Sequence, residues 1–379
     1  MTKHYFPLHL RIINLDEKHV GEKLYLTGTF NNWSEEQVLI GTIPEKGGSI
    51  SYTLEEVKAG EHELKLSRGS FKTLFADANG QLAPAVWLNH SKESELEMTI
   101  EGWRDDYPAS TASEQVNILD EHFYFPNLDV HRKVLIYLPK GYKQSDKRYP
   151  VIYMHDGQHL FDEATSVGRS GPVEWKVDDT IDASEHDAIV VAIYHAANYD
   201  LRAEEYMLSA TDEIKNPKGQ LYLDDIVHEL KPYIDAHYRT LNDRKHTAML
   251  GSSIGGLISI YAGILYPEVF GTIGSFSPSI WMDEEPLYLK TLQQLLKRAE
   301  EYKSQTFYFY VGGKEKRFDR NTKENDMKKE LEKYVEFLTK NYQGTIFMDI
   351  NEHGKHGAAH WQLAFPAFFD YWSLQMNSK

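Results

Sequence analysis

The chain has 379 residues, 41% of them hydrophobic and 13% aromatic, a length that suits two domains and a composition that supplies real cores. Its formal net charge of −16 repels phosphates, which argues against nucleic acid or an anionic membrane surface as partner. With no cysteine, disulfides, thiol catalysis and thiolate metal sites are excluded. The first residues, Met1 to Leu8, hold no apolar signal core, and no run approaches the ~18 apolar residues of a membrane span. A soluble, cytoplasmic protein is the expectation.

Residues 1–103 read as short strands. Leu8 to Ile13, Lys23 to Thr27, Ser51 to Leu54 and His62 to Leu66 are separated by turn residues at Asn31-Asn32, Gly47-Gly48, Gly60 and Asn79-Gly80. Many short strands without helices predict an all-β, immunoglobulin-like sandwich. Residues 104–116 are small and polar with one proline and read as a linker.

From residue 117 to 379 the pattern changes. Apolar strand runs at Val134–Leu138, Val151–Met154, Ala188–Ile193, Thr247–Leu250, Thr272–Phe276, Phe307–Val311 and Thr345–Ile350 come with helical segments near Leu221–His237, from Leu257, near Leu287–Tyr302 and from Asp326 to Lys340. Met327, Leu331, Tyr334, Val335 and Leu338 share one face of the last at helical spacing. Strands alternating with helices predict an α/β domain with a mostly parallel sheet covered on both faces.

Gly251-Ser252-Ser253-Ile254-Gly255 lies between a strand and a helix, the setting of a nucleophile elbow, and only Ser253 has glycine two positions before and two after. Such a turn lifts one hydroxyl clear of the backbone and aims the next amide, that of Ile254, at the same spot, where it serves an oxyanion. A serine needs a histidine to take its proton and an acid to orient that histidine. The acid belongs after the strand Phe307–Val311, where Glu315 stands, with Asp319 and Asp326 as substitutes; a solvated loop carboxylate between Lys314 and Lys316 is the plain alternative. Three histidines, His353, His356 and His360, follow the strand ending at Ile350. No HExxH motif or second ligand cluster accompanies them, so no metal and no cofactor are expected. The loop His155–Asp162 is expected to give a second oxyanion amide near Gln158. Trp175 and Trp281 are candidates for pocket walls, with core packing the competing role.

Several separated motifs in order carry a resemblance. Tyr149-Pro150-Val151-Ile152-Tyr153-Met154-His155-Asp156-Gly157-Gln158, then Lys231–Asp235 with Tyr238-Arg239-Thr240, Gly251–Leu257 and Ser277-Pro278-Ser279-Ile280-Trp281 resemble the esterases related to enterochelin esterase, feruloyl esterases and esterase D, over residues 117–379. The resemblance implies an α/β-hydrolase domain and a serine carboxylic ester hydrolase. In that family the base histidine is followed five residues on by Trp and then by Pro, which His356, Trp361 and Pro366 match; this selects His356, although Gly357 stands where relatives often have Asn or Asp. The family's Gly-x-x-Glu/Asp acid loop matches Gly312–Glu315, and Glu205-Tyr206 match a recurrent patch read as structural. Thr27-Gly28-Thr29-Phe30-Asn31-Asn32-Trp33 resembles the Gly-x-Phe-Asn-x-Trp turn of starch- and glycogen-binding modules. That implies a carbohydrate ester substrate bearing acetyl or feruloyl groups; a siderophore trilactone, a small alkyl ester or thioester, and a glycan-binding protein with an inert hydrolase domain are the rivals. A structural or homodimer-forming role for residues 1–103 competes with glycan binding.

Overall fold

The computed structural model describes residues 5–78, 83, 85–106, 110–166, 173–196, 198–318 and 324–377. The turn at Asn79-Gly80, residues 107–109 of the expected linker and Asp319 lie outside them. The chain divides into two compact units, residues 1–111 with 162–173 and residues 112–161 with 174–379.

The first unit is all-β, with strands β1 (Tyr5–Asn14), β2 (Lys23–Gly28), β3 (Val38–Thr42), β4 (Ser49–Lys58), β5 (Gly60–Ser67), β6 (Phe75–Ala76), β7 (Val86–His90), β8 (Ser94–Ile100) and β9 (Gly102–Trp103). They form sheets ordered β4-β1-β8 and β3-β2-β5-β7, plus the short pair β6-β9. Period-two alternation drives the packing. Leu8, Leu10 and Ile12 of β1 and Leu24, Leu26, Leu64 and Leu66 of the other sheet share one core. The Gly28–Trp33 turn closes on itself: Asn31 Oδ1 accepts from Gly28 N at 3.0 Å, and Trp33 N donates to Gly28 O at 2.8 Å. The stretch read as a linker opens on a 3-10 turn, Arg104–Asp106. Arg104 is buried and pairs with buried Glu163 at 2.7 Å, and β10 begins at Val116.

The second unit contains β10 (Val116–Phe125), β11 (Val130–Tyr137), β12 (Val151–His155), β13 (Ile189–Ile193), β14 (Thr247–Ser252), β15 (Thr272–Phe276), β16 (Thr306–Gly312), β17 (Lys316–Phe318), β18 (Glu324–Asp326) and β19 (Thr345–Asn351). Its helices are α1 (Val177–Ala183), α2 (Tyr199–Tyr206), α3 (Gly219–Asp225), α4 (Lys231–His237), α5 (Ile254–Leu265), α6 (Glu284–Tyr302), α7 (Met327–Asn341) and α8 (Ala358–Asn377). The central sheet runs β10-β11-β13-β12-β14-β15-β16-β19. Its pairs are antiparallel from β10 to β13 and parallel from β13 to β19. Every residue of β12, β13, β14 and β15 is buried, as continuous apolar runs in a two-sided sheet require. Residues of α2 to α7 pack one face and those of α1 and α8 the other.

The carboxyl ends of β14, β15, β16 and β19 therefore lie side by side, and their loops converge on one edge. Helix α8, which follows the last of these loops, packs tightly on β15. A methyl group at Gly274 would collide with Leu250 Cδ1 and stand 2.9 Å from Phe368 Cε2, both on fully buried side chains. Gly274→Ala is expected to destabilise the fold by about 1–3 kcal/mol through overpacking, read as a lower urea midpoint with an unchanged slope.

Candidate active site

Ser253 follows β14 and caps α5 with φ 57° and ψ −121°, a conformation that non-glycine residues avoid. The tight turn leaves no room for a side chain at position 251, where a Cβ would lie 2.5 Å from Gly255 O and 2.8 Å from His155 Cδ2. Two backbone bonds clamp the turn to the loop after β15: Ser253 N donates to Phe276 O at 2.9 Å, and Ser279 N donates to Ser253 O at 3.0 Å.

His356 Nε2 is 3.1 Å from Ser253 Oγ, and His356 Nδ1 is 2.8 Å from Glu315 Oε2. His356 lies in the loop between β19 and α8. Of the other two histidines, His353 is exposed in the same loop, and His360 sits in the first turn of α8 with its amide donating to Gly357 O. Glu315 is only 1% exposed, so the solvated-loop alternative does not hold. Its Oε1 accepts from Gly312 N at 2.6 Å and Ser277 Oγ at 2.7 Å. The acid and base loops touch through glycines. A Cβ at Gly354 would stand 2.9 Å from Gly312 Cα, while Gly313 N donates to Asn351 O and Lys314 N to Gly354 O. Asp326 instead caps α7, accepting from Lys329 N at 3.1 Å.

Ser279 was not singled out by the sequence, yet its Oγ lies 3.2 Å from Ser253 Oγ and its residue is 3% exposed. With His356 Nδ1–H given to Glu315, Nε2 accepts the Ser253 proton, so in that tautomer the Ser279 hydroxyl donates to Ser253. Ile254 is the first residue of α5, where an amide has no partner within its own helix. Gln158 lies in a buried 3-10 turn, Gly157–His159, after β12, and its Oε1 accepts from His195 N at 3.3 Å. This turn sits behind the elbow, since a Cβ at Gly255 would lie 3.0 Å from Asp156 Oδ2.

The two tryptophans separate. Trp175 is buried in the core, stacked on Phe276 at 5.4 Å and packed on Trp361 and Phe365, the packing role weighed against a pocket wall. Trp281 lies half-buried on the 3-10 turn Ile280–Met282, two residues beyond Ser279, and its buried indole N–H has no partner among the described residues. Glu205 pairs with Arg132, and Tyr206 is a core residue, as the structural reading of that patch required.

A second missed pair braces the site. Burial alone would push the Asp156 carboxyl up, but the Arg202 guanidinium grips it through Nε at 2.6 Å and Nη2 at 2.7 Å and holds it well below the usual carboxylate range. The same burial lowers His155 from the ordinary 6.5 to about 4; Asp156 opposes this and Arg202 adds to it. His159 is lowered to about 4 in the same way. No group of three or more described His, Asp or Glu residues has metal-holding geometry.

Residues 126–370 match the family model described as "Putative esterase", well over half of the chain, and the chain belongs to that family. It is 27% identical over 171 residues to the uncharacterised protein YbbA of Bacillus subtilis, covering 43% of this chain and 64% of that one. It is 26% identical over 174 residues to an endo-1,4-beta-xylanase/feruloyl esterase of Xylanibacter ruminicola, covering 45% and 22%. With the iron(III) salmochelin esterase of Escherichia coli it shares 25% identity over 250 residues, covering 62% and 53%. The chain thus spans less than two thirds of each of these proteins. Among solved structures, the enterobactin esterase FES of Shigella flexneri aligns over 94% of this chain and 91% of its own with a TM-score of 0.53 at 14% identity, a likeness of fold. The fold of the second unit is that of the α/β-hydrolases, with a mostly parallel central sheet. No helix among the described residues is long and apolar enough to cross a membrane.

Burial of His155 has a measurable consequence. Unfolded, it takes up a proton as pH falls through 6.5; folded, it does so only near 4. The unfolded state then binds more protons within that window, so stability is expected to fall as pH drops from about 6.5 to about 4. Urea unfolding at pH 7, 5.5 and 4.5 reads this. His155→Gln, which keeps a partner for the Tyr222 hydroxyl now 2.8 Å from Nδ1, is expected to flatten the slope. An unchanged slope would assign the acid dependence to other groups.

Proposed function

We propose that this member of the esterase family is a serine carboxylic ester hydrolase working through an acyl-enzyme. The observation that carries the reading is the unbroken hydrogen-bonded line from Ser253 Oγ through His356 to the buried Glu315. Ser253 Oγ attacks the ester carbonyl carbon while His356 Nε2 takes its proton. Glu315 holds the imidazole with Nδ1–H inward, so that Nε2 is the acceptor, and stabilises the imidazolium. The backbone amides of Ile254 and Gln158 receive the developing oxyanion, each such donor being worth about 10²–10³ in rate. His356 passes the proton to the leaving alcohol. Water then attacks the acyl-enzyme by the same route, releasing the acid and restoring Ser253.

For the substrate we propose a small-molecule siderophore ester. In support, an iron(III) salmochelin esterase aligns over 62% of the chain. The acylated carbohydrate is a second reading, favoured by the feruloyl esterase relative and by the Gly28–Trp33 turn of the first unit, which we read as an immunoglobulin-like, glycan-module-like sandwich.

Ser253→Ala is expected to lower p-nitrophenyl acetate hydrolysis by about 10³-fold or more with an unchanged circular dichroism spectrum. His356→Ala is expected to lose far more activity than His360→Ala. Retained turnover in Ser253→Ala would falsify the nucleophile assignment. Comparing kcat/KM on a catecholate trilactone, a feruloylated sugar and an acetylated sugar decides the substrate class; preference for either sugar ester would overturn the siderophore reading.

A further inference from the structure

Glu315 reaches beyond the imidazole. Its Oε1 accepts from Ser277 Oγ, and Ser277 Oγ in turn lies 2.9 Å from Trp361 Nε1. An indole nitrogen only donates, and an ionised carboxylate only accepts. With one proton of its own, the Ser277 hydroxyl between them has one arrangement left: it accepts from Trp361 and donates to Glu315. The order is fixed along the whole line, from Trp361 to Ser277 to Glu315, with His356 donating to the other carboxylate oxygen.

The surroundings leave the hydroxyl little alternative. Ser277 is fully buried and holds φ 45°, in the left-handed region that a residue other than glycine adopts at a cost. Its amide is tied to Tyr310 O at 2.7 Å. The Trp361 ring stands edge-on to the His356 ring, with centroids 5.0 Å apart and planes at 85°. Trp175 closes the other side at 5.7 Å. Trp361 therefore touches His356 with its ring and reaches the carboxylate with its N–H.

We propose that Trp361 is a positioning residue acting through Ser277: its indole N–H directs the Ser277 hydroxyl onto Glu315 and so keeps Glu315 Oε2 aimed at His356 Nδ1. This rests on the serine-hydrolase reading and adds two residues to it. Neither Trp361 nor Ser277 bonds the nucleophile. The effect of the indole N–H and of the Ser277 hydroxyl reaches it through the orientation of the acid, and so falls on kcat and leaves substrate binding alone.

The test is a double-mutant cycle on the full chain with Trp361→Phe, which removes the N–H and keeps an aromatic ring, Ser277→Ala and the two combined. Each single variant is expected to lower kcat about 10-fold with KM within about 2-fold, the scale of one lost hydrogen bond. The double variant is expected to be no slower than Ser277→Ala alone, because the indole has nothing left to act through. A second readout needs no turnover: the downfield proton NMR signal of the His356–Glu315 hydrogen bond should move or broaden in both single variants. Multiplying losses in the double variant, or an unmoved signal in Trp361→Phe, would reduce Trp361 to a packing residue and overturn the proposal. If Trp361→Phe fails to fold, Ser277→Ala and its NMR signal decide in the same way. Ser253→Ala separates the two levels, since its retained activity would sink the hydrolase reading, whereas an additive cycle with an inactive Ser253→Ala would sink only this inference.

Discussion

A carboxylate sealed from water is the constraint around which the second unit is arranged. Glu315 is 1% exposed, and no lysine or arginine among the described residues pairs with it. A bare buried anion would be strongly unfavourable, so its oxygens must be satisfied by hydrogen bonds. The donors come from three places in the chain: the Gly312 amide at the end of β16, the Ser277 hydroxyl after β15 and the His356 imidazole after β19. Only neighbouring parallel strands bring three such loops to one edge of a sheet, and β15, β16 and β19 are neighbours. The fold and the satisfaction of this one group are the same requirement.

Another buried carboxylate of the unit is held in the opposite way. Asp156 is matched by a two-pronged guanidinium from Arg202, so its charge is neutralised where it stands. That pair ties the loop after β12 to α2, and its charge is spent on structure. Glu315 has no such partner. Neutral donors hold it in place without cancelling its charge, which leaves that charge for the imidazole. Of these two buried carboxylates, the one paired with an arginine braces and the one held by neutral donors polarises.

What the sequence revealed follows the same physics. The strands of the parallel region were legible because full burial writes them as continuous apolar runs, as at Ile189–Ile193, and a helix such as Met327–Asn341 because its apolar residues recur at helical spacing. The polar edge strand Val116–Phe125 was not, since most of its side chains face solvent and leave no apolar run. Arg104 looked like a linker residue because its buried partner, Glu163, lies far along the chain. Within the candidate site, Ser253 and Glu315 stood out through glycines at tight turns after strands, and His356 through the spacing to Trp361 and Pro366 that the family resemblance supplied. Ser277, Ser279, Asp156 and Arg202 did not, because a hydroxyl or a charge pair acting across loops leaves no local periodicity. Their signal was present only as unassigned letters inside longer motifs.

The five-residue step from His356 to Trp361 shows how a spacing encodes geometry. Helix α8 starts at Ala358, and the Trp361 amide closes its first turn on Gly357 O. One helical turn folds the chain back over the two residues before the helix, His356 and Gly357, which brings the Trp361 ring against His356. A shift of one residue rotates a side chain by about 100° around the helix. His360, the immediate neighbour of Trp361, is turned away from it by that amount. His353, three residues before His356, stays on the exposed bend beyond Asn351. Loop length and helical pitch together therefore admit one histidine of the three to the space between a buried carboxylate and a hydroxyl on a strained turn.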